Sequence, residues 1–245
     1  MTVFFDLDRT LMDFENGEDM GIRAVFDEYR SEIKMNYADF RKNWKILAQK
    51  AFDEYSAGLY TFDEQRKLRV LRIFEANGVI LPPEEVDKRF KLYWATYEKG
   101  VELFSDAKPI LEKLKLHGIP TGLISNGDGK NQRWKLSKGG IETFFNPVII
   151  SGDVGISKPD LRIFQLALEK AGVSKEESWY IGDSIVHDIE PSVKFGMNVI
   201  YLNRTLPAGT VNIKTGAGTS AENPVYAEVN SLDSAWEVLK RFIDA

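Results

Sequence analysis

Two patterns of apolar and polar residues divide the chain. From Glu15 to about Lys99, apolar residues recur at helical spacing within a highly charged sequence. From Ser105 onward, short apolar runs alternate with stretches of helical periodicity. The first pattern predicts packed helices, and the second predicts repeated strand–helix units.

Four helices are predicted in the first region. Thr61 and Glu64 have the spacing of a capping box, which opens a helix that ends near Gly78. Pro83 starts the next helix, which ends at Gly100. We expect the aromatic and aliphatic stripes of these helices to pack together as a core. The stripes of the first, second and fourth helices are Ile22, Val25, Phe26 and Tyr29; Phe40, Trp44, Leu47, Ala51 and Tyr55; and Val86, Phe90, Tyr93 and Tyr97.

The second region predicts a parallel sheet, because repeated βα units place strands side by side with helices between them. The short apolar run Val3–Phe5 must join this sheet across the helical region. The stretch Leu206–Pro224 is rich in Gly, Thr, Ala and Asn and is predicted to be a loop. The predicted strands are Val3–Phe5, Thr121–Ser125, Val148–Ser151, Trp179–Ile181, Asn198–Leu202 and Ala227–Val229. The predicted helices are Ala107–His117, Lys130–Lys138, Leu161–Ala171, His187–Phe195 and Ser231–Ile243.

The predicted fold is therefore α/β, with a Rossmann-like parallel sheet core that has helices on both faces and an inserted α-helical bundle. Residues 1–13 and 105–245 are expected to form the core, and residues 14–104 the inserted domain. A length of 245 residues allows one or two domains of this kind.

The composition restricts the available chemistry. The chain has no cysteine, which excludes thiolate metal sites and cysteine nucleophiles, and His117 and His187 are too few for a histidine-rich metal site. A formal net charge of −5 argues against binding to a nucleic-acid polymer. No signal-peptide pattern is present and no apolar segment approaches the length of a membrane span, so we expect a cytoplasmic protein without a membrane partner.

The strongest chemical pattern follows the first predicted strand. Asp6 and Asp8 come directly after the apolar run, and residues two apart in an extended backbone point to the same side. Two carboxylates held together repel each other, so this arrangement needs a cation or a shared proton. In open α/β sheets, ligands bind at the edge where these strands end.

Polar residues also follow the later strands. Ser125-Asn126-Gly127 ends one strand, Lys158 precedes a helix, and Asp183 follows another strand, with Asp188 five residues beyond it. Glycines and a helix N-terminus let backbone N–H groups approach an anion. Each motif alone is also typical of an ordinary turn or helix cap, but their occurrence in this order at strand ends favours one shared site.

Taken in order, these motifs resemble the four motifs of the haloacid dehalogenase (HAD) superfamily. The residues that carry the resemblance are Asp6-Leu7-Asp8-Arg9-Thr10, Ser125-Asn126-Gly127, Lys158-Pro159, and Gly182-Asp183-Ser184 with Asp188. The helical insertion after the first motif resembles the α-helical class 1 cap of subfamily I. The segment from Thr10 to Phe14, with Glu18 nearby, is similar to the branch that contains nucleotidases acting on nucleoside monophosphates.

The resemblance implies a role for each motif. Asp6 would attack phosphorus to form an aspartyl-phosphate, and Asp8 would protonate the leaving alcohol and then activate water. Thr10 would orient the loop or Asp8. The groups implied for phosphate binding are Ser125, the N–H groups of Asn126 and Gly127, and Lys158. The groups implied for Mg²⁺ are Asp6, the backbone carbonyl of Asp8, and Asp183, with Asp188 positioning the water ligands of the metal.

The sequence thus predicts a Mg²⁺-dependent phosphomonoesterase, a monomer or homodimer, acting on a small phosphorylated metabolite such as a nucleoside monophosphate or a sugar phosphate. Three alternatives remain. A dehalogenase would resemble this chain in its first aspartate but would lack Asp8, because displacing a halide needs no acid. A phosphomutase of the β-phosphoglucomutase type keeps both carboxylates, and a catalytically silent binding protein on this fold usually lacks one of the motif residues.

Overall fold

The computed structural model describes residues 1–214 and 224–243, and its chain divides into two compact units. One unit comprises Met1–Asp13 and Glu102–Ala245, and the other comprises Phe14–Val101. The second boundary therefore follows Val101 instead of residue 104. The reason is that Glu102 and Leu103 pair in antiparallel fashion with Asp13 and Met12 of the first unit.

The unit Phe14–Val101 is helical. Its helices are α1 (Glu15–Glu28), α2 (Tyr37–Ser56), α3 (Phe62–Glu75) and α4 (Pro83–Gly100), and a short 3₁₀ turn covers Arg30–Glu32. The capping box predicted at the start of α3 is present: Thr61 Oγ1 accepts a hydrogen bond from Glu64 N, and the Glu64 carboxylate accepts one from Thr61 N.

Aromatic side chains fill the core of this helical unit. Phe40, Trp44 and Phe74 are fully buried, and the Trp44 ring stacks on the Tyr93 ring at a centroid distance of 5.0 Å. Helices α1 and α4 approach closely at Gly21, where an added Cβ atom would lie 2.7 Å from the Tyr93 ring. A larger residue at that position would force the two helices apart.

The other unit is built on a sheet. Within residues 1–214 and 224–243, seven strands form this sheet in the order β5-β4-β1-β6-β7-β9-β8. Neighbouring strands are parallel except for β8, which runs antiparallel to β9. The two remaining short strands, β2 and β3, form the antiparallel pair at the unit boundary. The strands in chain order are β1 (Thr2–Phe5), β2 (Met12–Asp13), β3 (Glu102–Leu103), β4 (Thr121–Ser125), β5 (Phe145–Ile150), β6 (Ser178–Gly182), β7 (Asn198–Leu202), β8 (Val211–Lys214) and β9 (Tyr226–Val229).

Helices cover both faces of this sheet. On one face Phe4, Ile124 and Tyr180 pack with Phe164 in a buried apolar cluster. On the other face Trp179, which neighbours Tyr180 in the same strand, contacts Phe242 at a ring-centroid distance of 5.0 Å. The helices of this unit are α5 (Ala107–Leu116), α6 (Gly129–Gly139), α7 (Ser151–Val154), α8 (Leu161–Ala171), α9 (Glu190–Phe195) and α10 (Leu232–Ile243). The predicted α/β class with helices on both faces is therefore confirmed.

Three local predictions need correction. Strand β5 starts earlier than predicted, at Phe145, and Ser151 already belongs to α7. The predicted helix His187–Phe195 begins as a π-helical turn, Ile185–Ile189. The predicted loop Leu206–Pro224 contains strand β8, whose β-branched Val211 and Ile213 pair with β9; residues 215–223 lie outside the described residues. Across the described ranges, no helix combines the length and the apolar character needed to cross a membrane.

Helix α5 offers a matched test of the core, because it carries one buried and one exposed leucine. Leu111 is completely buried and Leu116 is 85% exposed. Leu111→Ala should lower the free energy of unfolding by about 2–5 kcal/mol, because the change removes apolar contacts and leaves a cavity. Leu116→Ala should change it by less than about 0.5 kcal/mol. Urea unfolding of both variants measures the difference, and equal effects would contradict the packing described for α5.

Candidate active site

The predicted motif residues meet at one edge of the sheet. Asp6 directly follows β1, Ser125 ends β4, and Asp183 directly follows β6. Because β4 and β6 are the two parallel neighbours of β1, their carboxyl ends lie together. This is the edge at which open α/β sheets bind ligands.

A buried lysine lies at the centre of this edge. Lys158 Nζ is 2.7 Å from Asp6 Oδ1 and 2.6 Å from Asp188 Oδ1, and it donates a hydrogen bond to the Tyr180 hydroxyl at 2.9 Å. The Tyr180 hydroxyl also lies 3.0 Å from Asp188 Oδ1. Lys158, Asp6 and Asp188 are each at least nine-tenths buried, so these charges interact with little screening by water.

Burial and charge shift the pKa values of this cluster. Burial raises the pKa of Asp6 well above its ordinary range; Lys158 lowers it, whereas Asp188 and Asp183 raise it. Burial lowers the pKa of Lys158, but Asp188 and Asp6 outweigh that effect and the net shift is upward, so its ammonium remains charged. Burial and then the negative charge of Asp188 raise the pKa of the Tyr180 hydroxyl. Strong shifts of this kind are typical of functional sites.

Three carboxylates at the same edge are suited to a metal ion. Asp6, Asp183 and Asp188 each offer an oxygen, and these oxygens all lie within 4.8 Å of one another. An all-oxygen donor set fits a hard divalent cation. Gly182 is required beside them, because an added Cβ atom there would lie 2.6 Å from the Asp188 carboxylate. Burial, followed by repulsion from Asp188, raises the pKa of Asp183 to about 7.

The Ser125-Asn126-Gly127 segment is hydrogen-bonded to the backbone of Lys158 through the Asn126 side chain. Asn126 Nδ2 donates to the Lys158 carbonyl at 2.9 Å, and Lys158 N donates to Asn126 Oδ1 at 2.8 Å. This reciprocal pair fixes the position of Lys158 beside β4. The Gly127 N–H, which the sequence assigned to phosphate, instead donates to Ser151 Oγ at 2.9 Å. Ser125 Oγ accepts a hydrogen bond from Gln132 Nε2 at 2.7 Å.

Asp8 lies in a different environment from Asp6, because its carboxylate is held by two residues of α6. Lys135 Nζ is 2.6 Å from Asp8 Oδ1 and 2.8 Å from Oδ2, and Gln132 Nε2 is 2.9 Å from Oδ2. The Lys135 and Gln132 side chains are almost completely buried, whereas 29% of the Asp8 side chain is exposed. Unlike Asp6, the Asp8 side chain is therefore partly exposed to solvent.

Thr10 does not orient Asp8 through its hydroxyl. The residue is fully buried, and Thr10 Oγ1 has no hydrogen-bond partner within the described ranges. Its carbonyl accepts a hydrogen bond from Arg204 Nη2 at 2.9 Å, and Arg204 also pairs with Asp106 at 2.9 Å. The loop that carries Asp8 is therefore anchored from its backbone.

Sequence reasoning missed Tyr180, Gln132 and Lys135. In the sequence, Tyr180 has the pattern of an ordinary core residue within a buried strand. No neighbouring residue indicates that its hydroxyl has a polar partner. Helix α6 did carry a usable pattern: Leu136 and Trp134 are its apolar residues, too few to cover its buried face. A buried helix with so few apolar residues must bury polar side chains, and those side chains need partners.

Comparisons with known sequences agree with the family resemblance. A family model described as haloacid dehalogenase-like hydrolase matches residues 3–202. The HAD-hydrolase YfnB of Bacillus subtilis is 26% identical over 244 residues, covering 97% of this chain and 94% of YfnB. The pyrimidine 5'-nucleotidase PynA of Streptococcus pneumoniae is 28% identical over 207 residues, covering 82% of this chain and 83% of PynA.

Solved structures share the fold. The crystal structure of YfnB bound to magnesium has a TM-score of 0.76 at 23% identity and covers 98% of both chains. The defluorinating L-2-haloacid dehalogenase Rha0230 has a TM-score of 0.70 at 17% identity, covering 98% of this chain and 94% of that one. At these identities the likeness concerns the fold alone.

Removing the Tyr180 hydroxyl tests the buried charge cluster. Tyr180→Phe keeps the ring but takes a hydrogen-bond partner from Lys158, from Asp188 and from the Ile124 carbonyl, so the free energy of unfolding should fall by about 1–3 kcal/mol. Tyr201→Phe, at a partly exposed position of β7 in the same sheet, is the matched control and should change it by less than about 0.5 kcal/mol. Urea unfolding measures both, and a neutral Tyr180→Phe would contradict this account of the cluster.

Cation binding should depend on pH through Asp183. Because its pKa is raised to about 7, a proton occupies this carboxylate below that pH and competes with the cation. Mg²⁺ affinity, measured by calorimetric titration, should be at least about tenfold weaker at about pH 5.5 than at about pH 8. Asp183→Asn should weaken binding at both values and reduce their ratio. Equal affinity of the native chain at both pH values would contradict this prediction.

Proposed function

The chain belongs to the haloacid dehalogenase-like hydrolase family, as its motifs predicted, and from this premise we propose that it is a Mg²⁺-dependent phosphatase of small phosphorylated metabolites. The observation that carries the proposal is Asp8, a second carboxylate two residues after Asp6, held in place and partly exposed. An alcohol leaving group must receive a proton, whereas a halide needs none. Asp8 therefore favours phosphate esters over haloacids.

Asp6 serves as the nucleophile in this proposal. One of its carboxylate oxygens forms a bond to phosphorus as the ester P–O bond breaks, and Asp8 gives its proton to the departing alkoxide. Asp8, now ionised, then takes a proton from water, which attacks phosphorus and releases phosphate and the Asp6 carboxylate. A Mg²⁺ ion bound by Asp6, Asp183 and Asp188, with the Asp8 carbonyl, would supply positive charge between the anionic nucleophile and the anionic ester.

Lys158 and Ser125 assist by stabilising negative charge. The Lys158 ammonium, 2.7 Å from Asp6, is near the oxygens that would surround phosphorus during the transfer. Ser125 Oγ lies at the end of the neighbouring strand and offers a hydroxyl to the same group. The Gly127 N–H is excluded from this role while it donates to Ser151. A ligand would have to displace that hydrogen bond to use it.

We further propose a nucleoside monophosphate as the first substrate to test. This choice is supported by the similarity of Thr10–Phe14 to the nucleotidase branch and by the 28% identity with PynA, a pyrimidine 5'-nucleotidase. Sugar phosphates are the second group. A phosphomutase would differ in its product, because it returns an isomerised sugar phosphate in place of free phosphate.

Phosphate release from nucleoside monophosphates and sugar phosphates is the direct test. We expect release with Mg²⁺, loss of release with a chelator, and a fall of at least about 10³-fold in Asp6→Asn, because an amide is a far weaker nucleophile. Asp233→Asn, at an exposed position on α10, should retain native activity. Halide release from 2-haloacids without any phosphate release, or an isomerised product, would contradict the proposal.

A further inference from the structure

The pairing of Asp8 with α6 has no counterpart in the four sequence motifs. Lys135 and Gln132 are one helical turn apart and reach the same carboxylate from the same side. Lys135 contacts both oxygens, at 2.6 and 2.8 Å, and Gln132 contacts one of them at 2.9 Å. The carboxylate is thereby restrained in direction as well as in position.

A lysine in this place is costly to the fold. Its side chain is only 5% exposed, and a buried ammonium requires a well-placed anionic partner to offset the loss of its hydration. An apolar residue of similar volume would cover the same surface of α6 without that cost. The presence of a cation at this position is thus explained better by the way Lys135 holds the Asp8 carboxylate than by packing of α6.

Gln132 joins Asp8 to the end of β4. Its Nε2 lies 2.9 Å from Asp8 Oδ2, 2.7 Å from Ser125 Oγ and 3.0 Å from the Asn126 carbonyl. An amide nitrogen carries two hydrogens, so these three acceptors share them. The amide side chain of Gln132 therefore fixes the distance between the proposed acid and the proposed phosphate-binding hydroxyl.

We propose that Lys135, assisted by Gln132, is a positioning residue that orients Asp8 for proton transfer to the leaving group. This inference rests on the proposed phosphatase function. Lys135 acts through Asp8 and has no contact with substrate in this role. When Lys135 is removed, the Asp8 side chain can adopt other rotamers, and the proton it must deliver is no longer aligned with the leaving oxygen.

The test compares two esters that differ mainly in how much they need the proton. Phenolate is a stronger base than p-nitrophenolate, so phenyl phosphate depends on an acid more than p-nitrophenyl phosphate does. The ratio kcat/KM reports the steps up to phosphorylation of Asp6, in which this proton moves. In Lys135→Met, kcat/KM should fall on the order of 100-fold for phenyl phosphate and only a few-fold for p-nitrophenyl phosphate.

Three further variants separate positioning from folding. Lys135→Arg retains a cation and should recover part of the phenyl phosphate activity. Gln132→Leu removes one of the contacts to Asp8 and should shift the ester preference in the same direction by a smaller factor; it keeps the test available if Lys135→Met does not fold by circular dichroism. Lys138→Met, an exposed lysine on the same helix, is the matched control and should behave as the native enzyme.

Asp8→Asn distinguishes failure of this inference from failure of the proposed function. Adding Lys135→Met to Asp8→Asn should produce no further loss for phenyl phosphate, because the group on which Lys135 acts is already gone. Equal losses for the two esters in Lys135→Met, or additive losses in the double variant, would overturn the positioning role. No phosphate release from either ester by the native enzyme, or no ester preference in Asp8→Asn, would overturn the proposed function itself.

Discussion

The rest of the site depends on the buried ion pairs that the Lys158 ammonium forms with Asp6 and Asp188. Asp6 and Asp188 are both buried at the same strand ends, and two carboxylates in that position repel each other strongly without a cation between them. Lys158 also links distant parts of the chain, because Asn126 holds its backbone beside β4 while Asp6 and Asp188 belong to the β1 and β6 regions. Lys158 therefore connects the regions that follow β1, β4 and β6 at this edge of the sheet.

Taken as a whole, such a cluster adds little net stability compared with an apolar core, although removing one of its members is costly because it leaves the others without a partner. Burying charged groups costs solvation free energy, and their mutual attraction often only offsets that cost. The raised pKa values of Asp6 and Asp183 have the same origin, because burial disfavours their charged forms. A fold that retains several buried charges at the ligand-binding edge of its sheet is better explained by chemistry than by packing.

The two aspartates of the first motif differ through their partners. Asp6 is buried with Lys158 and Asp188, while Asp8 is partly exposed and lies against Lys135 and Gln132 of α6. The Asp6 carboxylate is thus buried within a candidate cation site. The Asp8 side chain is fixed by two hydrogen-bonding residues and remains partly exposed to solvent. This separation matches the proposed division into nucleophile and acid, although the two residues follow the same strand.

The sequence by itself determined the local elements and the motif positions, and the tertiary structure decided the partners. Helix α8 and strand β7 have the predicted bounds, Leu161–Ala171 and Asn198–Leu202, because hydrophobic periodicity and a following glycine or turn are local properties. Asp6, Ser125 and Asp183 were found because strand ends can be read from the same pattern. The contacts of Lys135 with Asp8, of Tyr180 with Lys158 and of Gly127 with Ser151 join residues far apart in the chain, as does the pairing of β8 with β9. No local period encodes such contacts, since they arise only when separate elements pack and each buried polar group must find a partner.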